Sequence, residues 1–284
     1  MNSLALRLAT PDAGHALLDS GDGEKLERFG PVVLARPEPQ AMWPRRDEAL
    51  WQTATARYEG ADEDRPGRWH GQTDPFDVTI GKATMVCRLT ANWHVGLFPE
   101  QRPHWDAARD AIAGLPRPRV LNLFGYTGAA SLILAAEGAE VTHVDASKKA
   151  IAWGKECQAA SGLNDAPIRW ICDDASKFAA REVRRGRTYH AVLLDPPKFG
   201  RGPKSEVWSL FESLPPLLTD VAALLAPDAR LVILTAYAIR ASALAIGRTL
   251  AQTLPPGAIE MGELALEDSS GGRLPTSMYA EWQP

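Results

Sequence analysis

Arg119-Val-Leu-Asn-Leu-Phe-Gly-Tyr-Thr-Gly128 reads as a short buried strand running into a glycine turn, and Ala129-Ala-Ser-Leu-Ile-Leu-Ala-Ala-Glu137 behind it reads as a helix. Val120, Leu121 and Leu123 supply the apolar run of the strand. Gly125 and Gly128 bracket a turn where backbone must run close to something with no side chain in the way. The helix that follows points its first N–H groups at the same spot, and such an end favours anionic or acceptor groups. A strand, a glycine turn and a helix in this order usually open a nucleotide-type cofactor site.

Downstream, strand and helix patterns alternate. Strands are expected at Glu140–Val144, ending in Asp145, at Ile168–Cys172, ending in Asp173-Asp174, at Ala191–Leu194, ending in Asp195-Pro-Pro-Lys-Phe199, and at Arg230–Thr235. Helices are expected near 148–161, 175–185, 207–225 and 241–254, with a polar loop carrying Arg201 and Lys204 before the third of these. Arg181, Arg184, Arg185 and Arg187 gather in or just beyond the last turns of the second helix, where they suit the helix dipole or face a phosphate. Ile259–Leu266 and Ser277–Trp282, parted by Ser269-Ser-Gly-Gly272, close the chain as a hairpin. The expected fold is therefore α/β: a Rossmann-like, doubly wound, mainly parallel sheet with a C-terminal antiparallel hairpin.

Upstream the texture changes. Residues 1–104 carry Trp43, Trp51, Trp69 and Trp93 and short strand-like pieces, Val32–Leu34, Val78–Ile80 and Met85–Leu89. Turn signals at Ser20-Gly-Asp-Gly23, Pro37-Glu-Pro39 and Arg65-Pro-Gly67 separate them. The expected organisation is a small β-rich accessory region over 1–104, either a decoration on the core or a substrate-docking part, and a cofactor-binding domain over 105–284. His94–Pro103 reads as the connector between them.

Composition bounds the function. The chain has 284 residues and a net charge of −4, so a nucleic-acid partner would have to be held by local basic patches rather than a global positive field. Cys87, Cys157 and Cys172 are scattered and odd in number, without metal or disulfide spacing, which fits a reducing cytoplasm and no metal. The N-terminus has no basic region followed by an apolar core, and no uncharged apolar run reaches about 18 residues. A cytoplasmic protein with no membrane association, monomeric by default, is the expectation.

In an open α/β sheet, ligands sit beyond the carboxyl ends of the strands. The residues there are the Gly125–Gly128 turn, Asp145, Asp173-Asp174, Asp195-Pro-Pro and Thr235. Asp145 follows Gly125 by twenty positions, where an acid can accept from both ribose hydroxyls. Any one strand-end aspartate is more often a helix cap or turn residue; the set together is the signal. The turn Gly-Tyr-Thr-Gly is neither G-x-G-x-x-G nor a phosphate-binding Gly-Lys-Ser/Thr loop, which disfavours a nicotinamide oxidoreductase and points to a nucleoside without a pyrophosphate. S-adenosylmethionine fits, with its amino-acid end at the turn, its ribose on Asp145 and its adenine amine on an acid after the third strand.

Residues 94–240 resemble class I S-adenosylmethionine-dependent methyltransferases. Within them the chain is similar to the large-subunit ribosomal RNA group with an Asn-Leu-Phe-x-Tyr-Thr-Gly turn and an Asp-Pro-Pro-Lys-Phe loop. The matching pieces are Asn122–Gly128, Val144–Ala150, Asp173–Ala175, Asp195–Phe199 and the upstream Gly96–Arg102. The resemblance implies that Phe124, Gly125, Tyr126, Thr127 and Gly128 hold the methionine end and that Asp145 binds the ribose. It also implies that Asp174, or alternatively Asp173, meets the adenine amine, and that Gln101 and Arg102 approach the cofactor. Asp195, Pro196, Pro197, Lys198 and Phe199 would face the acceptor, with ribosomal RNA as partner. Two prolines would fix the loop, so that the Asp195 carboxylate and the Pro196 carbonyl meet an acceptor while Phe199 stacks on an extruded base. Relatives that methylate carbon 5 of cytosine need a cysteine after the fifth strand. In Leu234-Thr-Ala-Tyr-Ala238 that position is Ala236, which favours a guanine nitrogen as acceptor. Other expectations kept open are a methyltransferase acting on a small molecule or protein, and a non-catalytic cofactor-binding RNA module.

Overall fold

The computed structural model describes residues 4–60, 67–71, 74–237 and 239–284. Arg65 and Pro66 of the third expected turn, and Ala238, lie outside the described residues. The chain forms two units. One comprises Met1–Arg7, Pro103–Leu264 and Ser277–Pro284; the other comprises Leu8–Arg102 and Ala265–Thr276. Met1–Arg7 and Ala265–Thr276 thus group across the break between Arg102 and Pro103. The two final strands are long, and their connecting end, 265–276, belongs with the N-terminal residues.

In chain order the early elements are β1 (Ala5–Ala9), β2 (His15–Gly21), β3 (Glu24–Phe29), β4 (Val32–Pro37), α1 (Glu48–Trp51), β5 (Ala56–Glu59), β6 (Arg68–Gly71), β7 (Phe76–Ile80) and β8 (Ala83–Cys87). Strands β2 to β6 make a five-stranded sheet in sequence order, antiparallel except where β4 meets β5. Asp22 and Gly23, both at positive φ, turn the β2–β3 hairpin at the expected place. The aromatic content of this unit serves packing: Phe29, Trp51 and Tyr58 are fully buried. Glu27 is buried with them, and Arg36 (2.7 Å) and His15 (3.0 Å) hold its carboxylate. Burial opposes that charge, but Arg36, Lys25 and His15 outweigh it and hold the carboxyl well below its ordinary range.

The connector ends in a single 3₁₀ turn, Pro99–Gln101, and then in a helix the sequence pattern does not announce, α2 (Arg102–Ile112). The rest of the chain alternates: β9 (Arg119–Leu123), α3 (Ala129–Ala136), β10 (Glu140–Asp145), α4 (Lys148–Ala160), β11 (Ile168–Cys172), α5 (Ala175–Arg184), β12 (Ala191–Leu194), β13 (Phe199–Arg201), β14 (Val207–Ser209), α6 (Leu210–Ala223), β15 (Leu231–Ala236), α7 (Ala243–Thr253), β16 (Ala258–Glu267) and β17 (Arg273–Gln283). The large sheet has the order β11-β10-β9-β12-β15-β17-β16-β1. Neighbours from β11 to β15 run parallel, and β17 runs antiparallel to β15. This is the expected doubly wound α/β sheet with its closing hairpin.

Alternation along β9 explains why helices cover both faces. Leu121 and Leu123 enter one core with Phe178 of α5, Leu214 and Leu217 of α6, and Leu250 of α7. Asn122 points the other way and hydrogen-bonds Ser131 of α3. Serine and aspartate start three of the helices: Ser147, Asp174 and Ser242 each accept a backbone N–H from the first turn. One expectation fails. The helix expected over 207–225 begins only at Leu210; the preceding loop and Val207–Ser209 instead fold into a small antiparallel hairpin, β13–β14. Its register pairs Phe199 with Ser209 and Arg201 with Val207.

Candidate active site

The turn after β9 is bent by backbone geometry that side chains rarely accept. Phe124 and Tyr126 sit at positive φ (58° and 51°), and Gly128 at 87°. Gly125 N donates to Val144 O (3.1 Å) and Gly128 N to Gly125 O (3.0 Å), which ties the turn to β10 and closes it. The glycines are required by neighbours as well as by φ. A Cβ on Gly128 would come within 2.6 Å of the Trp170 ring, and one on Gly125 would strike the His143 imidazole.

Behind the turn lies a buried polar chain. Asn122 donates to Ser131 Oγ (2.9 Å), which also meets His143 Nδ1 at 2.9 Å. His143 stacks at a tilt on Trp170, 4.4 Å between ring centres, and Trp170 Nε1 donates to Gln158 Oε1 (2.8 Å). Burial pushes the His143 imidazole down to about 3, although the Tyr126 backbone counters it, so the ring is neutral in neutral solution. The chain from Asn122 to Gln158 supports the turn from beneath.

Asp145 ends β10 directly beside it. Its Oδ2 accepts from Tyr126 N (2.9 Å) and its Oδ1 from Ser147 N (2.8 Å). Burial pushes the carboxyl above its ordinary value against these two bonds. A carboxylate has about four acceptor sites, so two such bonds leave each oxygen able to take one hydroxyl donor. The acid pair after β11 divides its work. Asp174 Oδ1 caps α5 through Lys177 N (2.9 Å), whereas Asp173 N donates to Asp145 O (3.2 Å) and its carboxylate pairs with Arg181 (2.5 Å). Phe124 to Gly128, Asp145, Asp173 and Asp174 therefore converge at the carboxyl ends of β9, β10 and β11. Gln101 and Arg102 fall in the other unit, where Arg102 is ion-paired with Asp12.

Asp195 leaves β12 next to the same turn, its N–H 3.4 Å from Leu123 O. The loop after it is pinned. Trp208 Nε1 donates to Pro197 O (2.7 Å), and Leu210 N to Lys198 O (3.0 Å). The Trp208 ring also packs on Phe124, 4.7 Å between centres, which joins the two loops. Pro196 is buried, Pro197 half-buried, and Lys198 exposed with its ammonium 5.5 Å from the Phe199 ring centre. Phe199 is 65% exposed, and Val207 and Phe211 stand out beside it at 73% and 56%. A rigid loop thus offers a flat apolar surface and a cation.

Ala236 closes β15, fully buried and paired with Met278. Thr235, counted among the strand-end residues from sequence, is buried within β15 and meets His104 Nδ1 at 3.2 Å. Sequence reasoning missed Trp208, Trp170 and Ser147, and gave Arg181 to the helix dipole or a phosphate rather than to Asp173. Ser147 carried a visible signal, a serine just before a helical pattern and two residues after a strand-end acid. The tryptophans carried none, because their roles depend on partners far along the chain. Among the described residues there is no cluster of metal-ligating side chains, and no helix is long and apolar enough to cross a membrane.

No family model matches the chain. Its sequence is 35% identical over 212 residues to the ribosomal RNA large subunit methyltransferase K/L of Shewanella baltica, covering 72% of this chain but 28% of that protein. It is 28% identical over 149 residues to the ribosomal RNA large subunit methyltransferase I of Aeromonas salmonicida, covering 51% of this chain and 37% of that one. The chain thus spans well under half the length of these relatives. SMU.776, crystallised with SAH, shares the fold at a TM-score of 0.75 and 20% identity, over 95% of this chain and 75% of its own. A SAM-dependent methyltransferase from Agrobacterium tumefaciens superposes with a TM-score of 0.94 at 42% identity, over 100% of this chain and 96% of its own. The acceptor capacity left at Asp145 suits the ribose of that cofactor. With a relative so similar matched almost from end to end, the chain belongs to the S-adenosylmethionine-dependent methyltransferases.

Proposed function

We propose that the chain methylates a base of large-subunit ribosomal RNA, at a guanine nitrogen rather than at carbon 5 of cytosine. The observation that carries the reading is the pinned Asp195–Phe199 loop. It offers a carboxylate, a proline carbonyl, an exposed lysine and a 65% exposed phenyl ring beside the cofactor turn. Such a surface suits a planar base next to a phosphate. The names of the relatives, both ribosomal RNA methyltransferases, support the same substrate class.

Bound S-adenosylmethionine supplies an electrophilic methyl group on a good leaving group, so alignment and electrostatics are what the protein must add. Phe124 to Gly128 bind the methionine end and Asp145 accepts from the ribose hydroxyls. Asp174 has one carboxylate oxygen beyond its helix cap for the adenine amine, and Asp173, engaged by Arg181, is the weaker choice. Asp195 and the Pro196 carbonyl accept from the amine of the base and orient its nitrogen, Phe199 stacks on the ring, and Lys198 meets a phosphate. Transfer to a base nitrogen would form the N–C bond as the C–S bond of the sulfonium breaks, so no protein nucleophile is needed. That agrees with Ala236 at the end of β15 and with Cys172, whose thiol burial pushes up, away from the reactive thiolate.

The test is transfer of tritiated methyl groups to unmodified ribosomal RNA, ribosomal subunits and protein extract, followed by nucleoside mass mapping. A methylguanosine in the RNA is the expected product. Label only in small molecules or protein removes the RNA reading, and 5-methylcytidine removes the acceptor atom.

A further inference from the structure

The arginines beyond α5 have no role in the methyl-transfer site. They stand at the opposite end of the sheet, where the amino ends of β9, β10 and β11 enclose a cleft of about 400 Å³. Arg119, Arg169 and Arg187 line it, with Glu140, Glu182 and Tyr189. The acids there are already engaged. Glu182 is buried and accepts from Arg185 (2.9 Å), Tyr189 Oη (2.9 Å) and Arg169 (3.1 Å), and Glu140 pairs with Arg117 (2.6 Å). Burial opposes the Glu182 charge, but these hydrogen bonds outweigh it and hold the carboxyl below its ordinary value.

Positive charge is left over. Arg119 Nε donates to Thr188 O (2.8 Å) and its Nη2 to Thr188 Oγ1 (3.0 Å), so its guanidinium is fixed by neutral partners and keeps further N–H donors for a ligand. Arg187 is exposed on the rim, and no acid pairs with it among the described residues. A held guanidinium beside a free one is the pattern that takes a phosphate in two-point contact. In a chain of net charge −4, this excess is local, as a polyanion-binding patch on an acidic protein has to be.

We propose that this cleft binds a phosphate group through Arg119 and Arg187, and that in the working complex the group is a backbone phosphate of the RNA. The second clause rests on the RNA reading above. A five-residue strand spans about 15 Å, so the phosphate held here would belong to a part of the substrate outside the methylated base. It would position the RNA without reading sequence.

The experiment compares wild type with Arg187→Gln and Arg119→Gln/Arg187→Gln. The rim substitution stands as the fold-safe variant should Arg119, which also anchors Thr188, be needed for stability. Binding of unmodified large-subunit ribosomal RNA is measured against KCl concentration, alongside KM and kcat for transfer and affinity for S-adenosylmethionine. The expected result is a salt slope shallower by about 0.7 for each phosphate no longer neutralised, RNA affinity and KM worse by several-fold, and kcat and cofactor affinity unchanged. In a second arm, the arginine Nε signals of the wild-type protein are followed by NMR during titration with inorganic pyrophosphate. Shifts at Arg119 and Arg187 support a phosphate site. Shifts with an unchanged RNA salt slope overturn the backbone assignment in favour of a small phosphorylated molecule, and no shift with no slope change overturns the site. If wild type transfers nothing to ribosomal RNA, the proposed substrate falls, and the pyrophosphate arm still decides the cleft.

Discussion

The turn after β9 and the loop after β12 leave adjacent strands and are built on opposite plans. The turn is closed. A Cβ on either glycine would strike His143 or Trp170, the N–H groups of Gly125, Tyr126 and Gly128 are matched within the protein, and a buried polar chain underlies it. The loop after β12 is rigid in its backbone and open in its side chains, with Lys198 and Phe199 in solvent. A small, constant donor can be met by preformed backbone, whose orientation is settled on folding and costs nothing further at binding. A large acceptor brings its own surface, so the protein needs only a fixed platform from which side chains reach out. The donor end should therefore tolerate no change in shape, and the acceptor loop should be sensitive to chemistry instead.

The sharpest separation should come from Asp195→Ala. Transfer to RNA should fall on the order of 10²–10³-fold, as when one preorganised polar group at a reacting centre is removed, while calorimetric affinity for S-adenosylmethionine stays within about twofold. Asp145→Ala should do the converse, weakening cofactor binding by roughly 10²-fold as its charge-assisted hydrogen bonds are removed. Equal affinity in that variant and wild type would break the assignment of Asp145 to the ribose. Gly128→Ala combines a positive φ with a Cβ against Trp170, and should cost about 1–3 kcal/mol of stability. Thermal unfolding measures this, and Gly138→Ala, at φ 90° with open space around it, isolates the backbone part. Phe199→Ala should raise KM for RNA by the value of one stacked base, about 1–3 kcal/mol, with the melting temperature unchanged because the ring is exposed.

The smallest effect is the pH dependence of the donor end. His143 titrates at about 3 in the folded protein against 6.5 as its ordinary value. The unfolded chain therefore takes up a proton first as pH falls. The stability His143 contributes is complete above about 6.5, declines below that, and is gone once the folded ring protonates near 3. Between pH 7 and 5.5 the decline should be about 1 kcal/mol. A His143→Asn variant should start less stable but lose less over that interval in denaturant titrations. An equal slope would mean that the ring is not neutral under the turn.

Legibility from sequence followed the same division. Gly125, Gly128 and the strand-end acids could be read because a turn, a strand and a helix cap are each encoded within a few residues. The place of Ala236 needed only the fifth strand. Asp173 and Asp174 could not be told apart, since their roles depend on Arg181 and on which carboxylate caps α5. Val207-Trp-Ser209 was read as helix because its neighbours are helical; pairing with Phe199–Arg201 overrode that preference.

The doubly wound sheet and the cofactor class could be read from the chain alone, because periodicity, glycine spacing and residue identity are local properties. Long-range packing settled that Trp208 pins the loop after β12 and joins it to Phe124. It alone decided that His143 and Trp170 leave no room at the glycines, that 265–276 belongs with the N-terminal unit, and that Arg119 and Arg187 flank one cleft. Each of these depends on pairs of residues distant in the chain, and nothing in a local pattern records which pairs will meet.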